Sequence, residues 1–524
     1  MTRHLGDFQT PASLVDAVLK TLSRRQSHWP RVLEPTCGTG SFIEGAIRNL
    51  ADQAPAEIIG IELQSDYAAR ARSISAPKHV QLRIVETNIF SCSLRDLTWK
   101  TSGPLLVIGN PPWVTNSEQS SLPFQNLPSK SNFKRLQGME ARTGSSNFDV
   151  AEYILLKLID ELRIARPTIA LLCKVLVAKN VLKFVAGEGF PFANGTIHRI
   201  DAKKSFGAAV DACLFTFDVK APSDYRVVVY ESLNAETPKT TFGVVGGKLV
   251  ANTEAYARAN FHDGQSSLTW RQGVKHDAAQ VLELHRMEDG ALENNLGEKV
   301  QVEAEYVYPL LKSTQLANGE GLRAPTRAIL LPQQKYLTRV TELPTVAPRL
   351  WDYLQSHREV FRKRKSTIYK DRSDFALFGI GEYSFAAYKV AVSGLHKLVR
   401  FRALGPVDDR PIMLDDTCYL TACDSPLQAA LIAATLNHPA TQELMGSIVF
   451  WDTMRPITKS LLQRLDVSAI VHHLGAESLL PLIDLELCTL GESPLERTYS
   501  TSDLAGLLQS SSPDDTDRPL VLSL

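Results

Sequence analysis

Pro104-Leu-Leu-Val-Ile-Gly-Asn-Pro-Pro-Trp113 is the stretch on which the reading of this chain turns. Leu105 to Ile108 form a short apolar run, the pattern of a strand buried on both faces. Gly109 ends the run. Two consecutive prolines continue neither a strand ladder nor a helix interior, so Asn110-Pro111-Pro112-Trp113 is predicted to be a stiff loop at a strand's carboxyl end. Open α/β sheets place their ligands there. The loop offers one side-chain amide, carbonyls fixed by proline rings and one large aromatic face, a set that suits a planar base carrying an exocyclic amine.

Upstream, Thr10-Pro11 precedes Leu14, Val15, Val18, Leu19 and Leu22. The spacing predicts an amphipathic helix with Thr10 as N-cap and Pro11 at its first position. Arg31 to Phe42 reads as a short strand, a turn containing Gly38 and Gly40, and a helix start. The glycines let backbone approach a ligand closely, with helix-terminal amides aimed at it. Glu34, just before them, stands where it could meet a positively charged or amine-bearing group. Glu57 to Glu62 is a second buried strand ending in an acid, about twenty residues on, the spacing at which a nucleotide ribose is held. Gln81 to Asn88 gives a third strand, Thr168 to Cys173 a fifth, and Ile197–Asp201 with Ala212–Val219 completes a doubly wound α/β sheet with helices on both faces.

These elements resemble the gamma class of S-adenosylmethionine-dependent adenine-N6 DNA methyltransferases, over the first 220 or so residues. Gln9-Thr10-Pro11 is similar to the family's amino-terminal cofactor motif, and Leu33-Glu34-Pro35-Thr36-Cys37-Gly38-Thr39-Gly40 to its glycine motif. Glu62 matches the ribose-binding acid and Asn110-Pro-Pro-Trp113 the catalytic tetrapeptide. Phe206 matches the aromatic on the far side of the flipped base. Asn88 stands where the family often carries an aspartate against the cofactor's adenine. The resemblance implies a Rossmann-like catalytic domain over 1–222 with S-adenosyl-L-methionine as cofactor. It also implies transfer to the N6 amine of an adenine flipped out of double-stranded DNA, in a restriction-modification system. Two other readings stay open: an enzyme using the same tetrapeptide on RNA or protein glutamine, and a catalytically silent DNA-binding subunit.

Residues 223–490 are expected to form a mixed α+β target-recognition region, and 491–524 a weakly ordered tail. Trp270-Arg271 to Lys275 is a basic-aromatic loop. Arg362, Lys363, Arg364 and Lys365 belong to a cationic run between His357 and Arg372. Lys389 closes a Tyr-Ser-Phe…Lys-Val stretch similar to those of restriction-modification methyltransferases. All seven cations are candidates for phosphate contact. The 57 basic and 57 acidic residues of this 524-residue chain cancel, so such a surface is a local patch rather than a global field. The seven cysteines are scattered and odd in number, which indicates reduced thiols in a cytoplasmic compartment; the resemblance implies a bacterial or archaeal host. No metal site is read. No segment has the roughly 18 consecutive apolar residues of a membrane span. Any partner endonuclease is expected on a separate chain.

Overall fold

A computed structural model describes residues 9–26, 28–49, 55–114, 149–333, 342–370 and 372–508. The Ser-, Asn- and Pro-rich stretch that follows Trp113 in the sequence lies, from residue 115 to 148, outside the described residues, as does the end of the tail from 509. The chain divides into two compact units, Met1–Glu254 and Ala255–Leu524.

The first unit is built on strands β1 (Arg31–Glu34), β2 (Glu57–Glu62), β3 (Gln81–Glu86), β4 (Leu105–Gly109), β5 (Thr168–Lys174), β6 (Ala193–Ile200), β7 (Ala212–Asp218), β8 (Arg226–Tyr230), β9 (Thr240–Val245) and β10 (Lys248–Val250). They form one sheet in the order β10-β9-β8-β6-β7-β5-β4-β1-β2-β3. β1 to β5 run parallel, and β7 is antiparallel to both of its neighbours, β5 and β6. Every residue of β2 and β4 is buried, as parallel strands covered on both faces require. Val32, Ile58, Leu106, Ile108 and Leu172 share one core with Val15, Val18 and Leu19 of helix α1 (Ala12–Ser23) and Phe42 and Ile43 of α2 (Ser41–Asn49). Alternate residues Leu33, Ile59, Val107 and Leu171 are equally buried and point to the opposite face.

The strand order reverses between β1 and β4, which opens a crevice above their carboxyl ends. Helices α3 (Ser65–Arg72), α4 (Val150–Leu162), α5 (Val175–Glu188) and α6 (Ala202–Phe206) complete the unit. Strands β8, β9 and β10, which fall in the region expected to carry target recognition, join the same sheet through the parallel pairing of β6 with β8. The compact unit therefore closes after Glu254, beyond the expected boundary near residue 222.

The second unit has β11 (Arg271–Gln272), β12 (Glu283–Arg286), β13 (Leu292–Asn294), β14 (Lys299–Val300), β15 (Val307–Leu311), β16 (Arg327–Leu330), β17 (Tyr388–Ser393), β18 (Arg402–Leu404), β19 (Met413–Leu414) and β20 (Cys418–Cys423). One sheet runs β14-β13-β12-β16-β15-β19 and the other β11-β20-β17-β18. Phe375, Leu377 and Ile380 belong to the core that also holds Leu284, Leu310 and Ile329, so this apolar stretch packs the unit. Residues 500–508 of the expected tail pack onto the unit. Helix α7 (Thr501–Gly506) is capped by Ser500, Leu504 is fully buried, and the Leu507 carbonyl accepts Gln428 Nε2 at 2.8 Å. A few apolar residues in a polar tail suffice to dock it when a groove exists, which composition alone does not reveal. Among the described residues no helix is long and apolar enough to cross a membrane.

Candidate active site at the carboxyl ends of β1 and β4

A cleft lies at the reversal point of the first unit, lined by Thr10, Glu34, Thr36, Gly38, Glu62, Asn88, Asn110 and Pro112 among others. All eight were nominated for the cofactor or for chemistry from sequence, in five separate stretches of the chain. The parallel sheet brings them to one edge.

The glycine turn is held from behind. Cys37 N donates to Ile61 O at 2.8 Å and Gly40 N to Cys37 O at 2.8 Å. Gly38 and Gly40 have φ of +53° and +93°, conformations that side-chain-bearing residues rarely adopt. A Cβ at Gly40 would sit 2.3 Å from Ile74 Cδ1, so that glycine lets the turn pack against α3 and its following loop. The Glu62 carboxylate accepts Gly38 N through Oε2 and Gln64 N through Oε1, each at 2.8 Å. Two backbone donors orient it, and a carboxylate's remaining lone pairs stay available to a ribose diol.

Glu34 is 2% exposed, and its Oε2 lacks a hydrogen-bond partner among the described residues. Burial, reinforced by the Glu62 charge, holds its carboxyl well above the usual range, against the lowering effect of the Ile43 amide. An orphaned carboxylate oxygen at a cleft wall is an expensive feature unless a cationic or donor group meets it. Asn88 Oδ1 accepts Phe90 N at 2.9 Å, so its oxygen first shapes its own turn and has one lone pair left for a ligand amine. Tyr67, Phe90, Val150 and Ile154 supply apolar wall that single-residue sequence signals did not mark.

The loop Asn110–Trp113 is fixed from both sides. Asn110 Nδ2 donates to Thr10 Oγ1 at 3.2 Å. Thr10 is thus not the N-cap of α1; Pro11 occupies that position without a side-chain bond, and the threonine hydroxyl serves the asparagine. Pro111 is buried and Pro112 half-buried. Trp113 is buried, and its Nε1 donates to Leu172 O of β5 at 3.2 Å. Phe206, at the end of α6, meets the Trp113 ring edge to face, with centroids 5.1 Å apart and planes at 79°. The sequence paired these two rings, and here they touch each other. Beyond the loop, Val150 N donates to Val114 O at 3.0 Å. Asp149 caps α4 through Ala151 N at 3.0 Å and pairs with Lys174 Nζ at 2.9 Å. A polar residue ahead of an apolar helical run was the available signal for Asp149.

The seven cations nominated in the second unit have different fates. Arg364 donates to the carbonyls of Phe361, His276, Ala376 and Asp374 at 2.7 to 3.1 Å, and its guanidinium lies 3.6 Å from the Tyr369 ring centroid. Its donors tie chain segments together. Lys389 is 1% exposed in the middle of β17, donates to Ala386 O, and burial lowers its ammonium to about 7. Buried in its strand, Lys389 is out of reach of a phosphate, which corrects the expectation for it; Arg364 is half-buried with its donors engaged by carbonyls. Sequence periodicity could not separate a cation on the outer face of a run from one folded inward. Arg362 pairs with Glu359 and Asp374, each at 3.3 Å, and Lys275 with Asp277 at 2.9 Å. Arg271 stands 5.6 Å over the Tyr383 ring. Lys363 and Lys365 are exposed, and neither has an ion-pair partner among the described residues.

The strand order and the donor set of the cleft define a methyltransferase of the Rossmann-like class whose cofactor is S-adenosyl-L-methionine. Glu34, Glu62, Asn88 and the Gly38 turn fit that group, which carries a cationic sulfonium and amine, a ribose diol and an adenine. The curated Type II methyltransferase M.NspV of Nostoc sp. is 34% identical over 474 residues, covering 89% of this chain and 96% of its own length. The chain belongs to the Type II methyltransferases. A solved structure of the Type IIL restriction-modification enzyme MmeI in complex with DNA shares the fold, with a TM-score of 0.51, 14% identity and coverage of 80% of this chain. This chain spans 60% of that one. No protein-family model matches.

Proposed function

We propose that this protein transfers a methyl group from S-adenosyl-L-methionine to the N6 amine of an adenine flipped out of a specific double-stranded DNA sequence, as the modification half of a restriction-modification system. The observation that carries the reading is that Asn110 and Pro112 line the same cleft as Glu34 and Glu62. An amine acceptor set and a cofactor acceptor set thus share one wall. The DNA complex of MmeI and the Type II assignment of M.NspV support duplex DNA as substrate. Residues 223–490 would then carry target recognition, and a cognate endonuclease would be a separate chain.

The adenine amine is a weak nucleophile because its lone pair is conjugated with the ring. The Asn110 side-chain oxygen and the Pro111 carbonyl would accept its two N–H groups and favour a more tetrahedral nitrogen as attack begins. Thr10, by receiving Asn110 Nδ2, turns the amide oxygen toward that role. A stacked base is out of reach, so it must leave the helix. Trp113 offers a ring held by β5. Phe206 would swing from its edge-on contact to the base's other face, a movement its short helix and the Gly207 that follows can absorb. Bound cofactor supplies an electrophilic methyl group on sulfur, and holding it in line with the amine provides much of the rate gain.

The test is label transfer from methyl-tritiated S-adenosylmethionine to duplex DNA, RNA and total protein, followed by base analysis. N6-methyladenine in duplex DNA is expected. Label confined to RNA or protein overturns the substrate, and DNA binding without label overturns the enzyme.

A further inference from the structure

We infer that Lys203 and Lys204 grip the DNA backbone beside the target nucleotide, an interface within the catalytic unit that the sequence reading placed wholly in the second half of the chain. The inference rests on the proposed action on DNA. Both lysines are exposed, and no carboxylate among the described residues lies within ion-pair distance of either. The nearby acids are committed elsewhere. Asp201 Oδ1 accepts Lys204 N at 2.9 Å as the cap of α6, and Asp211 pairs with Arg199 at 2.7 Å. Unlike Arg362 or Lys275, these two cations are not already neutralised.

Their backbone is fixed, so their placement is not accidental. Gly207 N closes onto Lys203 O at 2.9 Å and Ala208 N onto Ala202 O at 3.3 Å, while Ala202 is buried in the core. Two and three residues on, Phe206 touches Trp113 of the catalytic loop. α6 joins the carboxyl end of β6 to the start of β7, and the register pairs Ala212 with Lys174 at the end of β5. The lysines therefore stand on the sheet edge that carries Asn110. On that edge Val210 and Leu176 are 39% and 60% exposed, beside the bond from Val175 N to Asp211 O at 3.0 Å. Unpaired cations next to exposed apolar side chains suit a chain of alternating phosphates and sugars.

The test uses the full-length Lys203→Gln/Lys204→Gln protein and a duplex carrying a sequence that the wild type methylates. The logarithm of affinity against the logarithm of salt concentration is expected to lose about 1.5 from its slope, close to two phosphate contacts. Affinity for S-adenosylmethionine should stay unchanged, and Lys203→Arg/Lys204→Arg should restore the slope. A wild-type slope in the glutamine variant, with wild-type DNA binding intact, overturns this inference alone. A wild-type protein that methylates no duplex overturns the proposed function and this inference with it.

Discussion

The side-chain amide of Asn110 donates to the hydroxyl of Thr10 at 3.2 Å, across 100 residues of chain. Under the proposed reaction, with Nδ2 committed to Thr10, the oxygen is the end of the amide that would face the target amine. Asn110→Ala should lower kcat for DNA methylation by about 10²–10³-fold, the usual loss when one preorganised polar contact to a reacting group is removed. Cofactor affinity should barely move. An Asn110→Ala enzyme with near-normal kcat would refute the role.

Thr10→Val keeps the shape and removes the acceptor. It should reduce kcat by about fivefold, equivalent to one hydrogen bond of about 1 kcal/mol, because the Asn110 amide then loses that acceptor. Thr10→Ser should recover most of the loss. If valine and serine behave alike in single-turnover rates, the threonine acts only by packing.

Gly40→Ala meets two obstacles, a φ of +93° and a Cβ position 2.3 Å from Ile74 Cδ1. It should destabilise the catalytic unit by about 2 kcal/mol or more, combining backbone strain with overpacking. Gly38→Ala, whose Cβ meets only the flexible Gln9 side chain at 3.3 Å, should cost less stability. Chemical denaturation of both variants separates the cases, and an equal loss would contradict the packing argument.

Glu34 makes stability depend on pH in a defined direction. Its carboxyl is held above the ordinary range, first by burial and then by Glu62. Between the ordinary value and the raised one, the folded state therefore binds more protons than the unfolded chain. Stability of the ligand-free protein then falls as pH rises through that window. Glu34→Gln removes this dependence, so it should raise Tm at neutral pH, leave it nearly unchanged near pH 4, and weaken binding of the cationic cofactor. A variant that melts lower than wild type at pH 7 would argue against an uncompensated carboxylate.

Arg364 tests the sorting of the basic run. Its fork of donors reaches four carbonyls, a geometry that lysine cannot copy. Arg364→Lys should cost about 2 kcal/mol of stability and leave the salt dependence of DNA binding unchanged. Lys363→Gln/Lys365→Gln should do the reverse. A change in slope from Arg364→Lys at full stability would return that arginine to the DNA surface.

The contrast between the two units shows where sequence is informative. Glu34, Gly38, Glu62 and Asn110 could be named in advance because each follows a short buried strand, and a parallel sheet delivers every such end to one edge. Trp113 and Phe206 were paired from their motifs, but their edge-on contact follows from where β5 and α6 place them. In the second unit, Lys389 read as a surface cation and is interior, and the donors of Arg364 turn onto backbone carbonyls, since a run of charges has no period that distinguishes inward from outward. The amphipathic period does so for α1.

By itself, then, the chain determined the fold class and which strand ends and loop residues meet at one cleft, because these depend on local backbone rules and on residues close in sequence. Only the tertiary structure decided which cations remain unpaired, that Thr10 serves Asn110 rather than α1, and that β8–β10 lengthen the sheet to Val250. Those outcomes depend on hydrogen bonds and ion pairs between distant segments, whose partners are chosen by packing and leave no trace in local spacing.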